Sequence, residues 1–401
     1  MEVPQPGEAR LMLTDAACVP VPTSQHARAP RVALAHEWLV TLGGSDRVLL
    51  ALHELYPDAP VYVALYDPTR LPSAFADLPV ITSWLQRIPG ATRHHRSLVP
   101  LMPAAFGRFH LQGYDVVISS SHACTKGVRV PRGTPHICYC HTPMRYAWDL
   151  QDEYLGGFSP AMRPLFRILL ARLRHWDREA SRRVDHFIAN SRHVAARIRR
   201  YYGREATVIY PPVDTEFFTP GGTPEAGHGG ARAAGGDYLL VVSRLVPYKR
   251  VDLAVQACTA LGRSLVVVGD GPEAPRLRAM AGPTVRFVGE VDDGALAEYY
   301  RGCIALVFPG IEDFGLVPVE AQACGSPVIA FGAGGALESV IPGVSGVFFA
   351  EQTVDSLREA LRAFDPRAYD AGVIRRHAEQ FSVQRFHHQI AEFVQQALPV
   401  R

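Results

Sequence analysis

The sequence predicts an α/β protein with two doubly wound parallel sheets that face each other across a cleft. The chain has 401 residues, of which 48% are hydrophobic and 20% are charged. This length is more than one hydrophobic core usually serves. From residue 31 onward, short apolar runs alternate with amphipathic stretches, as in βα units. This rhythm stops in a glycine-rich segment and then restarts. Two βα domains are therefore expected.

The first half is predicted to be a Rossmann-like domain over residues 31–218. An amphipathic stretch from Asp46 to Leu55 predicts its first helix. Its predicted strands are the apolar runs Val32–Ala35, Val61–Val63, Val116–Ile118 and His136–Cys140. Residues 1–30 are rich in proline and hold no apolar core of signal-peptide length, so we expect a disordered tail there.

The second half is predicted to be another Rossmann-like domain, over residues 238–372. It follows the glycine-rich segment 219–237, which predicts a linker or an inserted loop. Its predicted strands are Tyr238–Val242, Ser264–Val268, Val285–Val288, Ile304–Phe308 and Pro327–Ala330. Residues 373–401 have a helical pattern, and we expect them to pack back on the first half.

The composition argues against several classes of protein. A formal net charge of +2 gives no strong field, which disfavours bulk nucleic-acid binding. The seven cysteines form no C-x-x-C pair and mostly lie in apolar runs, which predicts buried, reduced thiols and a cytoplasmic compartment. No run approaches the ~20 apolar residues that a membrane-spanning helix needs.

Gly43 and Gly44 form the first candidate phosphate site, between the first predicted strand and its helix. Glycines at this place let backbone amides approach an anion at a helix N-terminus, where the helix dipole also favours negative charge. The same glycines would also serve a simple turn, so the pair alone leaves both interpretations open.

A second candidate phosphate site is Ser243–Lys249, directly after the strand predicted at Tyr238–Val242. It brings Arg244 and Lys249 to the carboxyl end of a parallel strand, where ligands bind in such folds. The planar guanidinium of Arg244 can bind two phosphate oxygens, and Lys249 adds a compact charge. The two cations fit a diphosphate, although two solvated surface charges would give the same pattern.

A third candidate site lies in the segment GIEDFGLVPVEAQAC, residues 310–324. A helix is predicted to begin there, because Pro318 is tolerated only in a first helical turn. Free backbone amides at such a helix start can bind a diphosphate. The residues at this predicted start are Phe314, Gly315 and Leu316.

Two carboxylates, Glu312 and Glu320, would flank a diphosphate bound at this helix start. Carboxylates beside phosphates are suited to bind hydroxyl groups, and a nucleotide sugar carries hydroxyls on both sides of its diphosphate. A capping acid and an exposed helix acid would explain each glutamate singly, but would leave Arg244 and Lys249 without a role.

Together these residues resemble the retaining glycosyltransferases of family 4, which have the GT-B fold. Glu312 and Glu320 have seven residues between them, as in that family's E-x7-E motif. Other segments match the family's landmarks in order: Gly43–Gly44, Arg244, Lys249, Gly269–Glu273 and Gly334–Gly335. The resemblance covers residues 31 to 398. It implies an acceptor-binding first domain and a second domain that binds the nucleotide sugar.

The segment CYCHTPMRYAWD, residues 138–149, is similar to bacterial mannosyltransferases of O-antigen and exopolysaccharide assembly. That subgroup generally uses GDP-mannose. The resemblance therefore implies transfer of mannose to a glycan or lipid-linked saccharide in cell-surface polysaccharide synthesis. A UDP-sugar carrying glucose or N-acetylglucosamine is the alternative donor within the family.

The resemblance also implies roles for single residues. His141 would contact the sugar, Glu312 would hold the sugar hydroxyls, and Glu320 would hold the ribose. Arg244 and Lys249 would bind the departing diphosphate, which would itself accept the acceptor's proton in a front-face attack that retains configuration. The expected catalytic residues are His141, Glu312, Arg244 and Lys249. The expected donor-binding residues are Gly43, Gly44, Arg244, Lys249, Gly269, Glu312, Phe314, Gly315, Leu316 and Glu320.

Neither a metal nor a cofactor other than the nucleotide-sugar donor is implied. Asp292 and Asp293 precede Gly294 and are interpreted as turn acids, because nothing resembles a D-x-D metal site at a strand end.

Two segments, 87–108 and 162–183, mix arginine with apolar residues and indicate a cationic, apolar face. Such a face could dock on an anionic membrane, placing the protein at the inner face of the plasma membrane near a lipid-linked acceptor. An amphipathic helix packed on the first domain would explain the second segment equally well.

Two other classes of function stay open. A nicotinamide dehydrogenase fits Gly269–Ala274, which follows a strand, with Glu290 about 20 residues later. Against it, Pro272 and Pro275 crowd the turn, and the paired cations and glutamates would have no role. A non-catalytic binding subunit would bind the donor without turnover.

Overall fold

The computed structural model describes residues 29–149, 159, 161–221 and 236–399. Residues 31–401 form one compact unit. The tail predicted at 1–30 lies, up to residue 28, outside the described residues, and so do residues 222–235 of the predicted linker.

The first domain contains a seven-stranded parallel sheet in the order β3-β2-β1-β4-β5-β6-β7. Its strands are β1 Val32–His36, β2 Val61–Val63, β3 Val80–Thr82, β4 Val116–Ser121, β5 His136–Cys140, β6 His186–Ala189 and β7 Thr207–Val208. The order of the strands reverses between β1 and β4, which are neighbours in the sheet. In such sheets this crevice is the expected place for a ligand.

The second domain contains a six-stranded parallel sheet in the order β10-β9-β8-β11-β12-β13. Its strands are β8 Leu239–Val242, β9 Leu265–Val268, β10 Val285–Gly289, β11 Ala305–Phe308, β12 Val328–Phe331 and β13 Gly346–Phe349. Here the order reverses between β8 and β11. Both sheets agree with the doubly wound architecture predicted from the sequence.

Helices cover both faces of each sheet, so the central strands are apolar and buried along their length. Within the described residues, the helices of the first domain are α1 Gly44–Leu55, α2 Met102–Phe106, α3 Arg145–Trp148, α4 Arg163–Ser181 and α5 Arg192–Tyr202. Those that follow are α6 Val251–Leu261, α7 Ala274–Met280, α8 Asp293–Gly302, α9 Leu316–Ala323, α10 Ala336–Ser339, α11 Val354–Ala363, α12 Ala371–Ala378 and α13 Val383–Ala397.

The segment after residue 373 is divided between the two domains. Helix α12 packs against α9 of the second domain, whereas α13 packs against α1 of the first. Phe386, Ile390 and Val394 of α13 are buried in the core around β1 and α1. His387 Nε2 also lies 2.8 Å from the carbonyl oxygen of Ala51. The expectation that the whole segment packs on the first half thus fits α13 and not α12.

The segment 87–108 differs from its sequence interpretation as a cationic, apolar face. Met102 and Phe106 are fully buried in the core of the first domain, while Leu101 is exposed. A cavity of about 810 Å³ lies beside this segment, lined among others by Trp84 and Arg108, and it contains none of the predicted site residues. The interpretation was wrong for these side chains because the segment is folded into short helical turns that bury them.

Helix α4 carries the other predicted basic and apolar segment. Leu170 and Leu173 are buried against the first domain, whereas Leu165 and Ile168 are 60% and 55% exposed. The exposed face also carries arginines, which are Arg167, Arg172 and Arg178. Among the described residues, no helix is long and apolar enough to cross a membrane.

Candidate active site

A cleft of about 880 Å³ lies between the carboxyl edges of the two sheets. It is lined by residues that follow β1, β5, β8 and β11, including those at the point where each strand order reverses. Every site residue predicted from the sequence lines it: Gly43, Gly44, His141, Arg244, Lys249, Gly269, Glu312, Phe314, Gly315, Leu316 and Glu320. The structure therefore brings segments more than 200 residues apart in sequence to one place.

The two predicted anion-binding helix starts face each other across this cleft. Gly43 precedes α1 in an extended conformation, and α1 begins at Gly44. A methyl group added at Gly44 would lie 2.9 Å from Cδ1 of Leu316, the first residue of α9. Free amides and the positive ends of two helix dipoles thus point toward one region of the cleft.

The start of α9 depends on a glycine. Gly315 has φ of +86°, which non-glycine residues rarely adopt, and an added Cβ would lie 3.0 Å from the Phe308 ring. The side chain of Phe314 is buried and packs against Tyr210 and Phe381. Phe314 therefore presents backbone to the cleft, while its ring anchors the loop in the core.

Lys249 and Glu312 form an ion pair in the cleft. Both side chains are partly buried, at 16% and 21% exposure. Arg244 is exposed, and its guanidinium has no hydrogen bond or ion pair among the residues that the structure describes. One of the two predicted diphosphate cations is thus available to a ligand, whereas the other must exchange its partner.

Glu320 is buried near the start of α9, and its Oε2 accepts a hydrogen bond of 2.8 Å from the hydroxyl of Tyr300. Burial raises the pKa of Glu320, and the nearby charge of Arg47 opposes this rise. Arg47 itself donates to Asp293 Oδ1 at 2.6 Å. Asp293, which the sequence predicted to be a turn acid, instead begins helix α8 and pairs with Arg47 of the first domain across the cleft.

His141 follows β5 and is 9% exposed. Its Nε2 lies 2.8 Å from the hydroxyl of Ser120. Burial lowers the pKa of His141 well below its ordinary value, and positive charge on the neighbouring His122 or His36 would lower it further. The imidazole is therefore uncharged near neutral pH and can both donate and accept a hydrogen bond.

An ionic contact that was not predicted from the sequence joins the two domains. Asp313, next to Glu312, receives Nε of Arg145 at 3.0 Å and Nη2 at 2.6 Å on one oxygen. Its other oxygen receives Nη1 of Arg197 at 2.6 Å. Arg145 and Asp313 lie inside segments that the sequence analysis quoted, but a pairing between residues 168 positions apart leaves no local signal.

Comparison with known proteins gives two family matches. Residues 230–364 match the model described as Glycosyl transferases group 1, and residues 42–217 match the model described as Glycosyltransferase Family 4. The two matches fall on the second and first domains in turn, and together they take in most of the chain. This chain belongs to the group 1, family 4 glycosyltransferases.

Curated relatives of this chain include two proteins named D-inositol 3-phosphate glycosyltransferase. The protein from Geodermatophilus obscurus is 37% identical over 227 residues, covering 50% of this chain and 50% of its own. The protein from Nocardiopsis dassonvillei is 38% identical over 200 residues, covering 44% and 46%. The chain thus spans about half the length of the curated relatives it matches. These two names do not reproduce the narrower resemblance to GDP-mannose-dependent enzymes.

Two solved structures show the same fold. Sucrose-phosphate synthase from Thermosynechococcus elongatus has a TM-score of 0.70 at 20% identity, covering 91% of this chain and 99% of that chain. Anabaena HepE in complex with UDP has a TM-score of 0.65 at 21% identity, covering 91% and 100%. The GT-B fold predicted from the sequence is confirmed.

The loop that suggested a dehydrogenase has a structural role in this protein. A Cβ at Gly269 would lie 2.1 Å from the carbonyl oxygen of Ser243, and one at Gly271 would lie 2.4 Å from that of Leu245. These glycines are therefore needed because the loop packs tightly on the backbone that carries Arg244.

No group of three or more His, Cys, Asp or Glu side chains is arranged to hold a metal ion in the described parts of the chain. The expectation that the reaction needs no metal stays a prediction. All six cysteines among the described residues are free and buried, as expected for reduced thiols.

Proposed function

We propose that this protein transfers a hexose, with retention of configuration, from a nucleoside-diphosphate sugar to an acceptor. The observation that carries the proposal is the meeting of two helix N-termini, at Gly44 and Leu316, beside the cations Arg244 and Lys249. Backbone amides, helix dipoles and cations stabilise the charge that develops on a departing diphosphate, which is the main requirement of this reaction.

The ion pair between Lys249 and Glu312 gives each residue a part in donor binding. When a diphosphate enters, Lys249 exchanges the carboxylate of Glu312 for phosphate oxygens, which are charged acceptors of the same kind. Glu312 is then available for the sugar hydroxyls. Glu320, on the other side of the α9 start, lines the cleft and is proposed to bind the ribose. His141 is proposed to contact the sugar.

The donor that we propose first is GDP-mannose, on the resemblance carried by residues 138–149. A UDP-sugar is the alternative, and the structural likeness to HepE, solved with UDP, makes it the second donor to test. The proposed acceptor is a glycan or lipid-linked saccharide. Inositol 3-phosphate is a second candidate acceptor, because the relatives at 37% and 38% identity are named for it.

Contact with an anionic membrane is proposed for the exposed face of α4. Leu165 and Ile168 would enter the lipid interface, while the surrounding arginines would bind anionic headgroups. Sedimentation with vesicles of phosphatidylglycerol and phosphatidylcholine tests this. The variant Leu165→Ser/Ile168→Ser should stay in the supernatant, and equal sedimentation of both proteins would contradict the proposal.

The donor proposal is tested by calorimetry with GDP, UDP, GDP-mannose, UDP-glucose, UDP-N-acetylglucosamine and NADH. We expect tight binding of GDP and GDP-mannose, weakened roughly tenfold to a hundredfold in Lys249→Ala, because one charged hydrogen bond contributes about 1.5–3 kcal/mol. Arg286→Ala is the matched control, since Arg286 is an exposed cation of the same domain that does not line the cleft.

Each other outcome of this panel has a defined meaning. Preference for a UDP-sugar would support the proposed sugar transfer but exclude mannose as the transferred sugar. Binding of NADH alone would overturn the proposed function in favour of a dehydrogenase. Binding of a sugar nucleotide without turnover on glycan, lipid-linked or inositol phosphate acceptors would favour a non-catalytic subunit.

A further inference from the structure

A continuous chain of hydrogen bonds runs from the start of α1 to His141. Asp46 Oδ1 lies 2.7 Å from Nε2 of His36, and Nδ1 of His36 lies 3.0 Å from the hydroxyl of Ser120. The same hydroxyl lies 2.8 Å from Nε2 of His141. The other oxygen of Asp46 accepts the amide of Gly43 at 2.6 Å. The chain therefore links the glycine turn to the proposed sugar-binding histidine.

The sheet fixes the geometry of this chain. His36 ends β1 and is paired in register with Ser120 of β4, while His141 directly follows β5. His36, Ser120 and Asp46 are 0%, 1% and 4% exposed, so water does not compete for their hydrogen bonds. Three neighbouring strands and one helix thus hold every member in place.

The number of available protons constrains the direction of each hydrogen bond. As a carboxylate, Asp46 only accepts, so Nε2 of His36 donates to it. When His36 is in its uncharged form, its Nδ1 has only a lone pair, and the single hydroxyl proton of Ser120 must be donated there. The Ser120 oxygen is left to accept, so Nε2 of His141 carries the proton and its Nδ1 does not.

The position of Nδ1 gives this tautomer a use. His141 lines the cleft, and no hydrogen bond of its Nδ1 is present within the described ranges. An unprotonated Nδ1 can accept a hydrogen bond from a hydroxyl group of a ligand, which a protonated one cannot.

We propose that Asp46, His36 and Ser120 are positioning residues that hold His141 in the tautomer whose Nδ1 accepts a hydroxyl group of the donor sugar. This inference rests on the proposed function and deepens it. Because Asp46 also binds the amide of Gly43, the same chain ties the diphosphate side of the cleft to the sugar side. Hydrogen bonds to one ring nitrogen of a functional histidine fix the orientation and the tautomer of its ring.

The tautomer can be measured without any ligand. In protein labelled with ¹⁵N-histidine, long-range ¹H–¹⁵N correlation spectra distinguish the two tautomers and the imidazolium, and the His141 signal is the one lost in His141→Gln. We expect His141 in the Nε2–H form in the unaltered protein. An Nδ1–H or imidazolium form would overturn the proposal.

Two serine variants separate positioning from packing. Ser120→Ala breaks the chain, whereas Ser119→Ala removes a similar buried hydrogen bond, between Ser119 and Nε2 of His136 at 2.9 Å. Adjacent strand residues point to opposite faces, so Ser119 points away from this chain. We expect mixed His141 tautomers in Ser120→Ala and an unchanged His141 signal in Ser119→Ala.

Kinetics supply the second readout. In Ser120→Ala, kcat should fall roughly tenfold to a hundredfold, as expected when a reacting sugar is misplaced, while the Kd of the free nucleoside diphosphate is unchanged. Ser119→Ala should retain kcat. Equal losses in both variants, or weaker diphosphate binding in Ser120→Ala, would show a structural role and overturn the proposal. If no nucleotide binds the unaltered protein, the proposed function fails. The spectra would still show whether the chain of hydrogen bonds fixes the tautomer of His141.

Discussion

On the first-domain side of the cleft, His36, Asp46 and Ser120 are almost fully buried and joined by hydrogen bonds. On the second-domain side, Arg244 is exposed, and Lys249 is paired with Glu312. The first side is thus organised without a ligand, whereas the proposed diphosphate would have to break the Lys249–Glu312 ion pair on the second side. Under the proposed function, His141 on the first side meets a neutral sugar hydroxyl, which needs exact placement, whereas Lys249 on the second side meets a diphosphate that brings its own strong charge.

The largest expected effect comes from removing the carboxylate that the second side must release. Glu312→Ala should lower kcat/KM roughly 10²–10³-fold, because a contact made to the reacting sugar is lost. Turnover of the sugar nucleotide would be measured beside Glu298→Ala, which removes a glutamate that is 73% exposed and paired with Arg301. Near-normal turnover in Glu312→Ala would show that this carboxylate does not act on the sugar.

A smaller effect is expected from the contact that joins the two sides. Asp313→Ala leaves the guanidiniums of Arg145 and Arg197 without their shared carboxylate, which should reduce the free energy of unfolding by about 3 kcal/mol. Thermal unfolding would be followed by calorimetry. Asp355→Ala serves as the control, because its pair with Arg358 is exposed and should contribute under ~1 kcal/mol. Equal shifts of Tm in the two variants would contradict this prediction.

The smallest expected effect is a pH dependence of the stability of the folded protein, which arises from Glu320 on the second-domain side of the cleft. Burial raises the pKa of Glu320 in the folded protein, with Arg47 opposing the rise, so folding favours the protonated carboxyl. That contribution to stability is complete below the unfolded pKa of 4.5 and is lost as pH rises through the folded pKa. Glu320→Gln should therefore flatten the decline of Tm above pH 4.5. An equally steep decline of Tm in the variant would show that titratable groups other than Glu320 cause the decline.

The sequence was sufficient for the parts of the site that local chemistry specifies. Glycine at Gly315 is required by the positive φ before α9. Strand periodicity places Arg244 and Glu312 after buried strands, so their common edge could be predicted. The strands at β3, β6, β7 and β13 were not predicted, because they are short and several contain polar or glycine residues.

The contacts between distant segments could not be predicted. Ser120 lies 84 positions from His36, and each residue alone is an ordinary strand residue. Only the register of β1 with β4 brings them together, and a single sequence does not contain that register. The pairing of Asp313 with Arg197, 116 positions apart, is likewise a product of how the two domains close.

The contribution of α13 to the first domain has a consequence for biosynthesis. Phe386, Ile390 and Val394 complete a core whose other members lie mostly in the first half of the chain. A ribosome synthesises the chain from its N-terminus, so the first domain is made before α13. The apolar surface that α13 will cover stays exposed to solvent while the whole second domain is made. Nascent chains stalled before residue 383 should therefore bind chaperones. Once the last segment is released, α13 can bury this apolar surface.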